Sequence, residues 1–153
     1  NIMYSSSVPT YTAPIKVYAT ARTIKYPNWH HNLSWSLPLD SGFNYLIRLH
    51  FCEITRDITQ ENQRVFQVYI NNQTAEGHAD VIQWSDGASI PVYRDYVVNL
   101  SRFSQEMQYL SLELQKITES TTIHKHNGAI LNGLEIFKLS DNSTSLAGLY
   151  PFR

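Results

Sequence analysis

In segments 44–54 and 64–71, every second side chain falls on the same side of the chain, and a polar stretch separates the two. Tyr45, Ile47, Leu49 and Phe51 fall on one side of segment 44–54, and Leu46, Arg48, His50 and Cys52 on the other. In 64–71, Phe66, Val68 and Ile70 alternate with Val65, Gln67 and Tyr69. Period two predicts strands, because successive side chains point to opposite faces of a sheet. Both sides of 44–54 are largely apolar, so this strand should be central, with an opposing sheet on one face and a loop or another module on the other. Leu110, Leu112 and Leu114 line one face of a strand at 109–115, and Leu33, Trp35 and Leu37 oppose Asn32, Ser34 and Ser36 in a strand at 33–39. Strands are also expected at 92–100 and 129–139. Asn132-Gly133 inside the latter predicts a bulge or bend, since apolar residues continue on both sides. Shorter strands are expected at 15–19, after Pro14, and at 79–84. Asp40-Ser41-Gly42 and Ser85-Asp86-Gly87 read as turns. Segment 20–32 holds Pro27 and no sustained period, and reads as a loop with a helical turn near Thr20-Ala21-Arg22. Segments 55–63 and 117–127 are polar connectors. About eight short strands without a helix of ordinary length predict an all-β antiparallel sandwich, jelly-roll-like in form. The domain should occupy 14–139, after a loose polar lead-in at 1–13 and before a polar tail at 140–153.

The chain has 153 residues, enough for one domain that folds without disulfides or metal. Ten Tyr, six Phe and three Trp suit the half-buried surface of a sheet. The net charge of -1 and the lack of a basic stripe argue against a nucleic-acid or anionic-membrane partner held mainly by charge. Cys52 is the single cysteine, so no internal disulfide can form. It lies in an apolar strand, where free Cys behaves as a small hydrophobe. Asn1 is not an initiating residue, so the chain reads as a piece whose targeting signals lie outside it. The longest apolar runs fall short of the ~18 residues of a membrane helix.

Four Asn-x-Ser/Thr triplets begin at Asn32, Asn72, Asn99 and Asn142, where composition alone would give about two. Asn72 falls at a turn, Asn99 ends a strand, Asn142 lies in the tail, and Asn32 shares a face with Ser34 and Ser36. A glycan needs water and space, so these positions should be exposed, and the chain should pass through a secretory pathway.

No catalytic, metal or cofactor site is expected. His30-His31 and His124-Lys125-His126 lack Cys or carboxylate neighbours at ligand spacing and read as solvated loop. Glu53, Asp80, Asp86, Asp95 and Glu113 could form the carboxylate pair of a glycoside hydrolase, but so many acids on any sandwich give accidental pairs. No Gly-x-Ser-x-Gly elbow and no glycine-rich phosphate loop occurs. Trp29, Trp84 and Tyr93 are the ligand-contact candidates. An aromatic at a sandwich loop can stack on a sugar ring or anchor a peptide. The competing reading is that Trp84 and Tyr93 plug the open end of the sandwich.

The string Asp40-Ser41-Gly42-Phe43 through Arg48-Leu49-His50-Phe51-Cys52-Glu53 resembles the malectin-like ectodomains of plant receptor kinases, the FERONIA group. Asn62-Gln63-Arg64-Val65-Phe66, Ala79-Asp80-Val81-Ile82, Asp95-Tyr96-Val97-Val98 and Ile130-Leu131-Asn132-Gly133-Leu134-Glu135 match in order and spacing. The match covers nearly all of 13–139 and looks like the second, membrane-proximal malectin-like domain. The resemblance implies a malectin-like β-sandwich on the extracellular side of the plasma membrane, part of a single-pass Ser/Thr kinase whose catalytic domain is not in this chain. It implies binding of secreted rapid-alkalinisation-factor-type peptides with a small lipid-anchored co-receptor. Binding of cell-wall polysaccharide (pectin) is the alternative. The Gly-Gly and Arg-x-Trp elements that open the family's second domain do not occur here, so the sandwich is expected to lack its first edge strand. The aromatic and acidic loop set with which animal malectin holds a diglucose has no counterpart here, and sugar binding is not implied by the match.

Overall fold

The computed structural model describes residues 1–24, 32–101, 106–117 and 128–140. Two antiparallel sheets face each other. One has the order β2–β7–β4–β5, built from β2 (Leu33–Asp40), β7 (Met107–Lys116), β4 (Phe66–Ile70) and β5 (Gln73–Ala79). The other has the order β6–β3–β9, built from β6 (Val92–Leu100), β3 (Phe43–Phe51) and β9 (Gly133–Leu139). A two-residue ladder joins β1 (Arg22–Thr23) to β8 (Ile130–Leu131). The expected sandwich is the fold found, and the strand expected at 44–54 is the middle strand of its sheet.

The alternation read in the sequence is the alternation that packs. Tyr45, Ile47, Leu49 and Phe51 from β3 meet Phe66, Val68 and Ile70 from β4 and Leu110, Leu112 and Leu114 from β7 in one buried cluster. Fully burying one such side chain contributes roughly 1.5–3 kcal/mol, so these ten positions dominate the energetics of the sandwich. Leu33, Trp35, Leu37 and Leu39 of β2 close the cluster from the side. At Ser41-Gly42 the chain crosses from one sheet to the other. Gly42 sits at φ 84°, a conformation that suits a residue without Cβ. The Asn71-Asn72 corner joins β4 to β5 with both residues at positive φ, the geometry of a two-residue hairpin turn. The Asn71 side chain accepts a hydrogen bond from the backbone N–H of Ser111 and ties this corner to β7.

Two short segments expected as strands are helices instead. Residues 15–19 form α1 (Ile15–Ala19) and 81–85 form α2 (Val81–Ser85). Asp80 caps α2, its carboxylate accepting from the Gln83 N–H, and Asp86 ends it in the left-handed conformation. An N-cap acid satisfies an otherwise orphaned donor and favours the helix locally. The residues of α1 carry no such signal. A Pro14 carbonyl accepts from the Val17 N–H, the Thr20 hydroxyl donates to the Lys16 carbonyl, and the rest is tertiary. The helical turn expected near Arg22 is the start of β1. β5 lies where no strand was expected: its pairing with β4 is interrupted by register shifts, which erase the period-two pattern.

The bend expected at Asn132-Gly133 separates β8 from β9, and it holds α1 against the sheet. Asn132 Nδ2 donates to the carbonyls of Tyr18 and Thr20, and its Oδ1 accepts from the Cys52 N–H. A Cβ on Gly133 would come within 2.6 Å of Val17, so only glycine lets α1 approach this closely. Residues 1–13, expected as a loose lead-in, bring Val8 and Ala13 into a second buried cluster with Tyr18 and Cys52. Asn132→Ala removes all three clamp hydrogen bonds and should cost about 2–3 kcal/mol. Urea unfolding should show the loss, with an unchanged slope.

Candidate functional site

The outer face of the β6–β3–β9 sheet gathers most of the unusual side chains. Cross-strand register sets them in rungs. Tyr93, His50 and Gly133 form the first, Asp95, Arg48 and Glu135 the second, and Val97, Leu46 and Phe137 the third. In the first two rungs the polar groups satisfy one another. The Arg48 guanidinium donates two hydrogen bonds of 2.8 Å to the Asp95 carboxylate and stacks 4.2 Å over the Tyr93 ring. Those charge-assisted bonds push the Arg48 pKa upward despite partial burial. The His50 ring is almost wholly buried, with the Tyr18 hydroxyl 2.8 Å from Nδ1 and Glu135 Oε2 2.6 Å from Nε2. A carboxylate accepts only, so Nε2 carries the proton toward Glu135, and the Tyr18 hydroxyl and Nδ1 share the second hydrogen bond.

A second group lies at the core side of β6. Arg94 stacks 4.3 Å over Trp84 of α2, and Trp84 packs edge-on to Phe51 at 5.4 Å. Tyr96 donates to Glu76 of β5, and burial, then that bond, raises its pKa. The loop carboxylate Glu53 is buried, lies 3.4 Å from Arg64 Nε and accepts from the Thr55 N–H. Burial lowers the Arg64 pKa, opposed by Glu53.

Trp84 and Tyr93 therefore sit on opposite faces of the same sheet and do not form one site. Each is half-buried, and each supports a guanidinium. Trp84 covers the edge of the core, which fits the plug reading; Tyr93 packs beside Tyr18 and Cys52 in the second cluster. Trp29, His30-His31, His124-Lys125-His126 and Asn142 lie outside the described residues. Asn32, Asn72 and Asn99 are exposed. The five acids weighed for hydrolysis are engaged separately. Glu53 faces Arg64, Asp80 caps α2, Asp86 ends it, Asp95 holds Arg48, and Glu113 accepts from Gln115. The sequence reading missed His50, Tyr18 and Glu135 as partners. The available signal was a His and an Arg two residues apart on the outward side of an apolar strand, a placement that needs opposing charges across the ladder.

The Malectin-like domain family matches residues 1–139. The chain is 44% identical over 154 residues to the receptor-like protein kinase FERONIA of Arabidopsis thaliana, covering 98% of this chain and 17% of that protein. It is 38% identical to the Arabidopsis receptor-like protein kinase ANXUR2, covering 94% of this chain and 17% of that one. The chain thus spans about a sixth of the length of these relatives. Among solved structures, the plant peptide RALF23 in complex with FER and LLG2 contains a chain matched with a TM-score of 0.84 at 44% identity, over 97% of this chain and 39% of that one. The ANX2 ectodomain from Arabidopsis thaliana matches with a TM-score of 0.81 at 36% identity, over 92% of this chain and 38% of that one.

Burial pushes the Cys52 thiol from 9.0 up to about 12, and the Tyr18 hydroxyl from 10.0 up to about 12. A thiol so protonated is a packing group and a poor nucleophile. The folded state binds both protons more tightly than the unfolded chain does. Their stabilisation is therefore full below about pH 9 and is lost as pH rises toward 12. Chemical denaturation between pH 8.5 and 11 should show stability falling, and Cys52→Ala should flatten the fall.

Proposed function

The chain belongs to the malectin-like domain family, and from that premise we propose that it is an extracellular ligand-recognition module of a plant receptor-like Ser/Thr kinase. It binds a secreted peptide of the rapid-alkalinisation-factor type together with a lipid-anchored co-receptor. The observation that carries this reading is the match over 97% of the chain, at 44% identity, to the FER chain of a complex with RALF23 and LLG2. The arrangement of charges supports it. Arg48, His50, Arg64 and Lys138 each have a carboxylate within ion-pair distance, which suits a recognition surface of fixed shape better than a reacting centre with free acids and bases.

Binding uses the rim of the sandwich, where Arg48 over Tyr93 offers a flat, partly exposed cation–aromatic pair. Ligand-stabilised association of ectodomains then passes the signal to the kinase part of the parent protein. The chain functions outside the plasma membrane; no helix among the described residues is long and apolar enough to cross a membrane. Its exposed sequons at Asn32, Asn72 and Asn99 carry glycans acquired during secretion. Calorimetric titration with the peptide should give a dissociation constant of about 1 μM or tighter, strengthened by the co-receptor and unmoved by oligogalacturonide. Oligogalacturonide binding in the absence of peptide would contradict the reading and favour a cell-wall module.

A further inference from the structure

The third rung of the outer face is open. Val97 and Phe137 are 67% and 43% exposed, with Leu46 between them in the ladder. The next rung carries Asn99, Asn44 and Leu139. Asn99 begins the sequon Asn99-Leu100-Ser101 and points from the same face as Val97, roughly 7 Å along the strand by the rise of two residues. Its Nδ2 donates to Asn44 Oδ1 at 2.7 Å, and the Ser101 hydroxyl donates to its Oδ1 at 3.3 Å.

We infer that Asn99 is an N-glycosylation site whose first N-acetylglucosamine lies over Leu46, Val97 and Phe137 and shields them from water. The inference rests on the secreted reading above and goes beyond it by giving one glycan a structural role. In the transfer, the Asn99 amide nitrogen bonds to C1 of the sugar of a lipid-pyrophosphate oligosaccharide. The C1–oxygen bond to pyrophosphate breaks, the lipid pyrophosphate leaves with its electron pair, and the amide gives up one of its two hydrogens as the proton that this leaving group takes. One N–H remains on the modified nitrogen to donate to Asn44 Oδ1. A pyranose presents an apolar face of C–H groups that suits an aromatic ring and aliphatic neighbours. The sequon at Asn32 has no such setting, because its neighbours on the outward side of β2 are Ser34 and Ser36.

The test uses the chain secreted from eukaryotic cells, with glycans trimmed to one N-acetylglucosamine and occupancy read by glycopeptide mass spectrometry. Asn99 should be occupied, and the N-acetyl methyl resonance of its sugar should be shifted upfield by the Phe137 ring, a shift that Phe137→Leu removes. Ser101→Ala, which deletes the sequon and keeps Asn99, should raise binding of a hydrophobic dye roughly two-fold. Thr74→Ala, which deletes the sequon at Asn72, should leave dye binding unchanged. Bare Asn99 beside occupied Asn72 overturns this inference alone, as does an occupied Asn99 whose methyl resonates at the free-sugar position. A dimer of the glycosylated chain that Val97→Ser dissolves also overturns it, since a second copy would then occupy the face. Bare asparagine at all three exposed sequons overturns the secreted reading and this inference with it.

Discussion

β3 is buried along its inner face and at one end of its outer face, and most of the architecture follows from that. Its inner side chains supply the middle of the sandwich core. Its outer side runs from Asn44 through Leu46 and Arg48 to His50, with Cys52 just past the strand, and the last two are buried. A polar imidazole in that position is costly unless both nitrogens are satisfied. Tyr18 from α1 and Glu135 from β9 do this. The Asn132 clamp and the missing side chain of Gly133 let α1 come near enough for Tyr18 to reach. The lead-in, α1 and the β8–β9 bend are thus parts of one device that closes half of a sheet face.

That closure divides the outer face. Beside α1 the face is dry and its charges are matched. Beyond Arg48 it opens into an apolar rung next to a sequon. A sheet with one face fully solvated alternates apolar and polar side chains cleanly; β3 does not, because three environments follow one another along its outer side. The Arg48–Tyr93 pair lies at the boundary between closed and open surface.

Much of this was legible in the residues. β2, β3, β4 and β7 declare themselves by period two, and the leucines that line one face of β7 face the core. Asn132-Gly133 announces a bend. The sequence does not announce what the bend is for, since the groups it holds lie 114 and 112 residues away, at Tyr18 and Thr20. α1 reads as a strand because Ile15, Val17 and Tyr18 favour one locally, and tertiary contact overrides that preference. α2 had a cap signal in Asp80, outweighed by the apolar run Val81-Ile82. β5 escaped because bulges break its alternation. Trp84 and Tyr93 stood out in the sequence as contact candidates, and their opposite faces did not: Tyr93 and Arg94 are neighbours whose side chains diverge, and only the register of β6 against β3 shows which of them meets Trp84.

The closed half of the outer face is the claim on which the account turns, and hydroxyl-radical footprinting with mass spectrometric readout tests it most directly. Tyr18 is fully buried and Tyr11 is 87% exposed, seven residues apart in the same segment. Tyr11 should be oxidised readily while Tyr18 is modified only at the rate of core residues such as Phe66. Oxidation of Tyr18 at the rate of Tyr11 in the folded chain would contradict it, because α1 would then not cover His50.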